Sequence, residues 1–105
     1  MFQYDVFTMP VAASRRDRPY VLVLQHQRVS FARTVVIAPL SRPDRAKSDA
    51  RILPTLLVLG APFVLIAHEL TVVPAHALRG DPIDNLESYR YEIMGALDFV
   101  FSAAG

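Results

Sequence analysis

Ile52-Leu53-Pro54-Thr55-Leu56-Leu57-Val58-Leu59-Gly60-Ala61-Pro62-Phe63-Val64-Leu65-Ile66-Ala67 is the longest nearly apolar run of the chain, and its reading decides the fold. At 16 residues it is shorter than the roughly 18–20 that span a bilayer, and Pro54, Gly60 and Pro62 interrupt it. Two apolar runs, 55–59 and 63–67, flank Gly60-Ala61-Pro62. A three-residue, glycine-containing connection between such runs predicts a β-hairpin. The chain is therefore expected to be soluble, with no membrane partner.

The flanking segments have the same character. Residues 20–25 (Tyr-Val-Leu-Val-Leu-Gln) and 33–38 (Arg-Thr-Val-Val-Ile-Ala) are short, apolar and β-branched, the second ending at Pro39. Both predict core strands. Phe2 to Phe7 alternates loosely and is rich in aromatics, an opening strand. Leu70-Thr71-Val72-Val73 ends at Pro74, with a short strand or irregular piece to Gly80. Residues 9–19 and 41–51 are polar, charged and proline-containing, hence loops, the second with room for one helical turn. Five to seven short strands separated by turn signals imply a mainly β protein, a barrel or strongly bent sheet.

The last quarter changes period. Leu86, Arg90, Ile93, Leu97 and Val100/Phe101 form one helical stripe, which predicts a C-terminal α-helix over about residues 86–102, lying on the sheet. Phe101 is expected to pack inward. Asn85 is a candidate N-cap, and Asp81, Asp84 and Glu87 suit the positive end of the helix dipole. Gly95 costs about 1 kcal/mol against Ala inside a helix, which points to close backbone packing there.

The full 105 residues make one domain, 52% hydrophobic and 20% charged, which excludes intrinsic disorder. There is no cysteine, so disulfides, thiolate metal sites and cysteine nucleophiles are excluded, and a reducing, cytoplasmic setting fits. His26, His68 and His76 lack metal-ligand spacing and read as strand-end or surface residues. There is no G-x-S-x-G, and the four glycines are too scattered to cradle a phosphate. No catalytic residue, metal or cofactor is expected, so the residues favour binding over catalysis.

Charge is segregated. Residues 1–52 carry nine Lys and Arg against four acids, a net of +5, and residues 53–105 carry two against six, a net of −4. Most of the positive charge lies in the two loops, as solvated surface or as docking loops for an acidic partner, protein or nucleic acid.

Several features recur together in one known family. Pro54 and its hairpin, Val73-Pro74, Leu78, Gly80 and Leu86 precede Arg90-x-Glu92-Ile93-x-x-Ala96-Leu97-Asp98. The opening aromatic strand, residues 20–25 and Val35-Val36-Ile37-x-Pro39-Leu40 complete the set. In this order and spacing the chain resembles the CcdB family, toxins of type II toxin–antitoxin modules. The resemblance implies an SH3-like barrel with one C-terminal α-helix, forming a homodimer. It further implies a DNA gyrase inhibitor that binds the A subunit and traps the cleavage complex as a topoisomerase poison. A cognate CcdA-like antitoxin neutralises such a toxin, and the complex acts as a repressor in transcription regulation, so that DNA is reached only indirectly.

By the same resemblance, Ser102, Ala103, Ala104 and Gly105 occupy the target-binding end. Arg15, Arg16, Arg18, Arg42, Arg45 and Lys47, on the two basic loops, match the antitoxin-binding segments and suit an acidic tail. Arg90 is expected to form an internal salt bridge, with Glu87 or a loop acid. Well-studied members end in Phe-Trp-Gly-Ile; here Ser102 stands at the place of the Trp, and the chain has none. Losing such a hot spot typically weakens binding about 30-fold or more. Two alternatives remain: a MazF-like endoribonuclease toxin on the same barrel, and a non-toxic CcdB relative that only binds antitoxin.

Overall fold

The computed structural model describes residues 1–49 and 52–102. Seven strands run in chain order: β1 (Asp5–Thr8), β2 (Tyr20–Val23), β3 (Thr34–Ser41), β4 (Thr55–Val58), β5 (Ala61–Leu65), β6 (Thr71–Pro74) and β7 (Asp84–Asn85). Helix α1 (Arg90–Ser102) follows. All strand pairings are antiparallel, in the order β4-β5-β3-β2-β1-β7, with β6 also paired to β3. The result is a nearly closed barrel-like sheet with one C-terminal helix.

Side chains on β1, β2 and β3 alternate between two cores, because successive residues of a strand face opposite ways. Val6, Leu22, Leu24, Ala38 and Leu40 join Leu56, Leu65, Ile93 and Ala96 in the core beneath α1. Phe7, Val21, Val23, Val35 and Ile37 pack with Met9 and Leu78 in a second core. Strands buried on both faces are continuous apolar runs, which is why these segments lack a clean polar alternation.

The hairpin turns more tightly than the sequence predicts. Leu59 and Gly60 both have positive φ, 50° and 82°, the signature of a two-residue type I′ turn. Ala61 and Pro62 therefore belong to β5. Leu65 N–H donates to the Pro54 carbonyl at 2.9 Å, and alternation of bonded pairs makes Leu57 and Pro62 a non-bonded pair. The donor that proline lacks thus falls on the edge of β5 that has no neighbour there, since β3 reaches only Val64 and Leu65. Pro39 likewise lies within a strand rather than ending it, whereas β6 does end at Pro74 as expected. Pro39 sits where the edge of β3 passes from β6, paired to residues 34–37, to β5, paired to Leu40 and Ser41.

The opening strand starts later than expected, at Asp5. Tyr4 turns the chain with φ 73°, and the buried Asp5 carboxylate accepts the Phe2 N–H at 2.7 Å. Its other oxygen accepts Asn85 Nδ2 at 2.9 Å, tying β1 to β7.

The end strands β4 and β7 are joined by side chains. Leu59 N–H donates to Asp84 Oδ2 at 2.8 Å, and Leu57 N–H to the Tyr89 hydroxyl at 3.4 Å. Asp84 is therefore a strand residue that closes the barrel, not a dipole-complementing residue. Asn85 does not take the N-cap position expected of it: its Oδ1 accepts the Glu87 N–H at 3.0 Å across a two-residue turn, while Leu86 stands at the N-cap of a single 3₁₀ turn (Glu87–Tyr89) that leads into α1.

Ile93 and Ala96 are the fully buried residues of α1, with Leu97 and Val100 half-buried beside them. Phe101 points outward, 75% exposed. At about 100° per residue it lies roughly 80° around from Ile93, whereas Val100 stays within about 20°. Arg90 is exposed as well. It lies 4.7 Å over the Tyr91 ring and makes no ion pair to Glu87 among the described residues. Gly95 does not mark close packing: a Cβ there meets nothing within 4 Å.

Two stability predictions follow from these environments. Gly95→Ala raises the unfolding free energy by about 0.5–1 kcal/mol, read from urea denaturation; a loss places something against that face. Burial holds the Tyr4 phenol above its usual 10.0, with Arg90 pulling it down and Glu87 pushing it up. Between 10.0 and the higher folded value the unfolded chain releases a proton that the folded chain keeps, so stability falls as pH rises past about 10. Tyr4→Phe removes that part of the alkaline loss, as measured by denaturation at stepped pH.

Candidate functional site

The two basic loops fold onto each other. Arg42 N–H donates to the Asp17 carbonyl at 2.9 Å, and Arg42 Nε to the Arg16 carbonyl at 2.8 Å. Arg45 Nε lies 3.4 Å from Asp17 Oδ1 and 3.8 Å from Asp44 Oδ2. Beneath them the buried Ser41 hydroxyl bonds the Arg42 carbonyl at 3.1 Å. Residues distant in sequence thus form one surface holding Arg15, Arg16, Arg18, Arg42 and Arg45. Lys47 is exposed on the second loop, without a partner among the described residues. Ala50 and Arg51, at the end of that loop, lie outside the described residues.

Part of this positive charge is already matched. Arg18 Nη2 pairs with Glu69 at 2.9 Å, while its buried Nε finds no partner. Arg45 is matched by Asp17 and Asp44. Arg15 is held differently, donating from Nε to the Met9 carbonyl at 2.6 Å, a bond that leaves its Nη donors for other partners.

Arg15 also lines a cleft of about 500 Å³, shared with Thr8, Pro10, His76, Ala77 and Arg79. His76 belongs to the 3₁₀ turn after β6 (Ala75–Ala77), and Leu78 behind it is buried in the second core. Sequence reasoning missed His76 and Arg79 as site residues. The one available signal was Arg79 itself, one of two cations in the acidic half, beside Gly80. The other two histidines are exposed; His26 Nδ1 accepts the Arg28 N–H at 3.0 Å. Among the described residues no group of three His, Cys, Asp or Glu is placed to hold a metal, and no helix is long and apolar enough to cross a membrane.

The second surface is the outer side of α1. Tyr91, Met94 and Phe101 are 75%, 47% and 75% exposed and lie on one flank by helical spacing. Met94, Gly95, Leu97, Asp98 and Phe101 line a shallow depression. With Ile93 and Ala96 buried beneath, this flank leaves three large apolar side chains in water among the exposed Arg90, Glu92 and Asp98. Ser102 closes the helix, its Oγ donating to the Asp98 carbonyl at 2.9 Å. Ala103, Ala104 and Gly105, the rest of the expected target-binding end, lie outside the described residues.

The chain matches the family model described as CcdB protein over residues 3–103. No curated protein matches it.

The ion pairs of the basic surface should differ in weight. Arg45→Ala should change the unfolding free energy by less than about 0.5 kcal/mol, since both partners are half-exposed. Arg18→Ala should cost about 1 kcal/mol, because Arg18 is less exposed and bridges distant segments. Equal losses in urea titrations of the two variants would contradict that ranking.

Proposed function

This chain belongs to the CcdB family, toxins of toxin–antitoxin modules, and on that premise we propose that it acts by contact rather than catalysis. Its homodimer binds the A subunit of DNA gyrase and traps the gyrase–DNA cleavage complex. A cognate CcdA-like antitoxin neutralises it in the cytoplasm, and the toxin–antitoxin complex represses its own transcription. The observation that carries this reading is the family match over residues 3–103.

The exposed flank of α1 supports the dimer. Tyr91 and Met94 leave apolar area in water, and covering a large apolar side chain is worth about 1.5–3 kcal/mol. Phe101 also bears on the missing Trp. Turned outward at the last turn of α1, it offers an aromatic anchor one residue before Ser102, in a position to take over the central target contact. The basic loops support the antitoxin, since positive charge on an exposed surface speeds and orients association with an acidic segment.

The test is a cleavage assay with purified gyrase, supercoiled DNA and ATP, in which trapped complexes yield linear DNA after protein denaturation. The wild-type chain should raise linear DNA, and Phe101→Asp should weaken this effect about 30-fold or more. Light scattering should give a dimer of the 11.7 kDa chain at micromolar concentration. A strict monomer, no linear DNA, or divalent-independent cleavage of mixed-sequence RNA would each overturn the proposal.

A further inference from the structure

We infer that the cleft between the end of β1 and the turn after β6 seats a carboxylate of an acidic peptide, gripped by Arg15, His76 and Arg79. The inference deepens the neutralisation reading above, in which the peptide belongs to the antitoxin.

The charge balance of the cleft carries the argument. Its lining of Thr8, Pro10, Arg15, His76, Ala77 and Arg79 contains no acidic residue. His76 and Arg79 make no hydrogen bond or ion pair among the described residues. Elsewhere on the basic side the structure has supplied acids, Glu69 for Arg18 and Asp17 with Asp44 for Arg45. What sets this cleft apart is that two cations from opposite halves of the chain, Arg15 and Arg79, line one concavity with no acid among its lining residues. The bond from Arg15 Nε to the Met9 carbonyl restrains that guanidinium, so part of the entropic cost of ordering it on binding is already met.

The chemistry selects an anion, and the remaining lining selects a peptide. Arginine forks bind carboxylates through paired charge-assisted hydrogen bonds, and the Thr8 hydroxyl adds a donor beside them. Non-specific binding of single-stranded nucleic acid relies on aromatic platforms for its bases. No aromatic lines this cleft; Pro10 and Ala77 provide small apolar contacts suited to a neighbouring aliphatic side chain. Arg15 belongs at once to the cleft and to the loop bearing Arg16 and Arg18. A peptide anchored here can continue over the basic surface.

The probe is fluorescein-labelled hexaglutamate, titrated with the full chain and followed by anisotropy at low and moderate salt. Arg79→Glu should weaken binding about 10-fold or more and His76→Ala about 3-fold, while Arg79→Lys retains part of the affinity. Arg28→Glu, which makes the same charge change outside the cleft's lining, should leave binding unchanged. Circular dichroism confirms that each variant is folded. The inference is overturned if Arg79→Glu and His76→Ala bind like wild type, or if Arg28→Glu weakens binding as much as Arg79→Glu. It is also overturned if RNA of equal charge binds more tightly than the peptide through the same residues. Gyrase cleavage is a separate readout: absence of peptide binding leaves the gyrase reading standing, and a failed cleavage assay leaves the peptide result intact.

Discussion

Eight residues, Thr34–Ser41, carry three ladders, and the rest of the structure depends on that load. On one edge β3 pairs with β2 through residues 37–40. On the other it serves β6 along residues 34–37 and then β5 at Leu40 and Ser41. A single strand meets two neighbours on the same edge only if those neighbours diverge, and Pro39 marks the point of divergence. Its carbonyl still accepts from Ile66 at 2.9 Å, so only the donor that proline lacks is missing. The divergence bends the sheet toward closure. It also leaves β6 leading into residues 75–79 over the second core, which delivers His76 and Arg79 to the end of β1.

Closure of the barrel is polar where the cores are apolar. β4 and β7 form no ladder among the described residues, and the Asp84 carboxylate and the Tyr89 hydroxyl satisfy the N–H groups of Leu59 and Leu57. The same segment leads into the helix, with the Asn85 side chain accepting the Glu87 N–H at the start of the first turn. One short segment thus joins the sheet edges and aims α1. The helix buries Ile93 and Ala96 inward and leaves Tyr91, Met94 and Phe101 outward. Folding of the single chain has covered one face of the helix and left an apolar flank exposed.

The two surfaces have opposite chemistry and arise differently. The helix flank is a consequence of periodicity, since a helix apolar on most positions cannot bury them all against one sheet. The basic surface is a consequence of folding, since its cations come from segments adjacent only in space. The fold also changes their weights. Arg18 and Arg45 are matched by nearby acids, whereas Arg15 gains His76 and Arg79 as neighbours. Counting charges along the chain identifies the right loops but not the residues with charge to spare.

Residues 20–23, 34–38, 55–58 and 63–65 were legible as strands because burial on both faces, or on one, writes itself into consecutive side chains. The helix, the end of β6 at Pro74 and the family likeness were legible for the same reason: they depend on spacings of a few residues. The continuation of β3 through Pro39 and the start of β5 before Pro62 were not, since a proline is compatible with a strand wherever its missing donor faces no neighbour, and neighbours are not a local property. The outward turn of Phe101 depends on a phase difference of one residue along α1. Arg15 and His76 stand sixty-one positions apart, and no pattern in either segment anticipates their meeting. The sequence by itself determined the element types and the segregation of charge, through short-range sterics and hydrophobic period. Tertiary structure decided which edges join, which cations stay unmatched and which aromatic faces water, because those depend on contacts made through space across long stretches of chain.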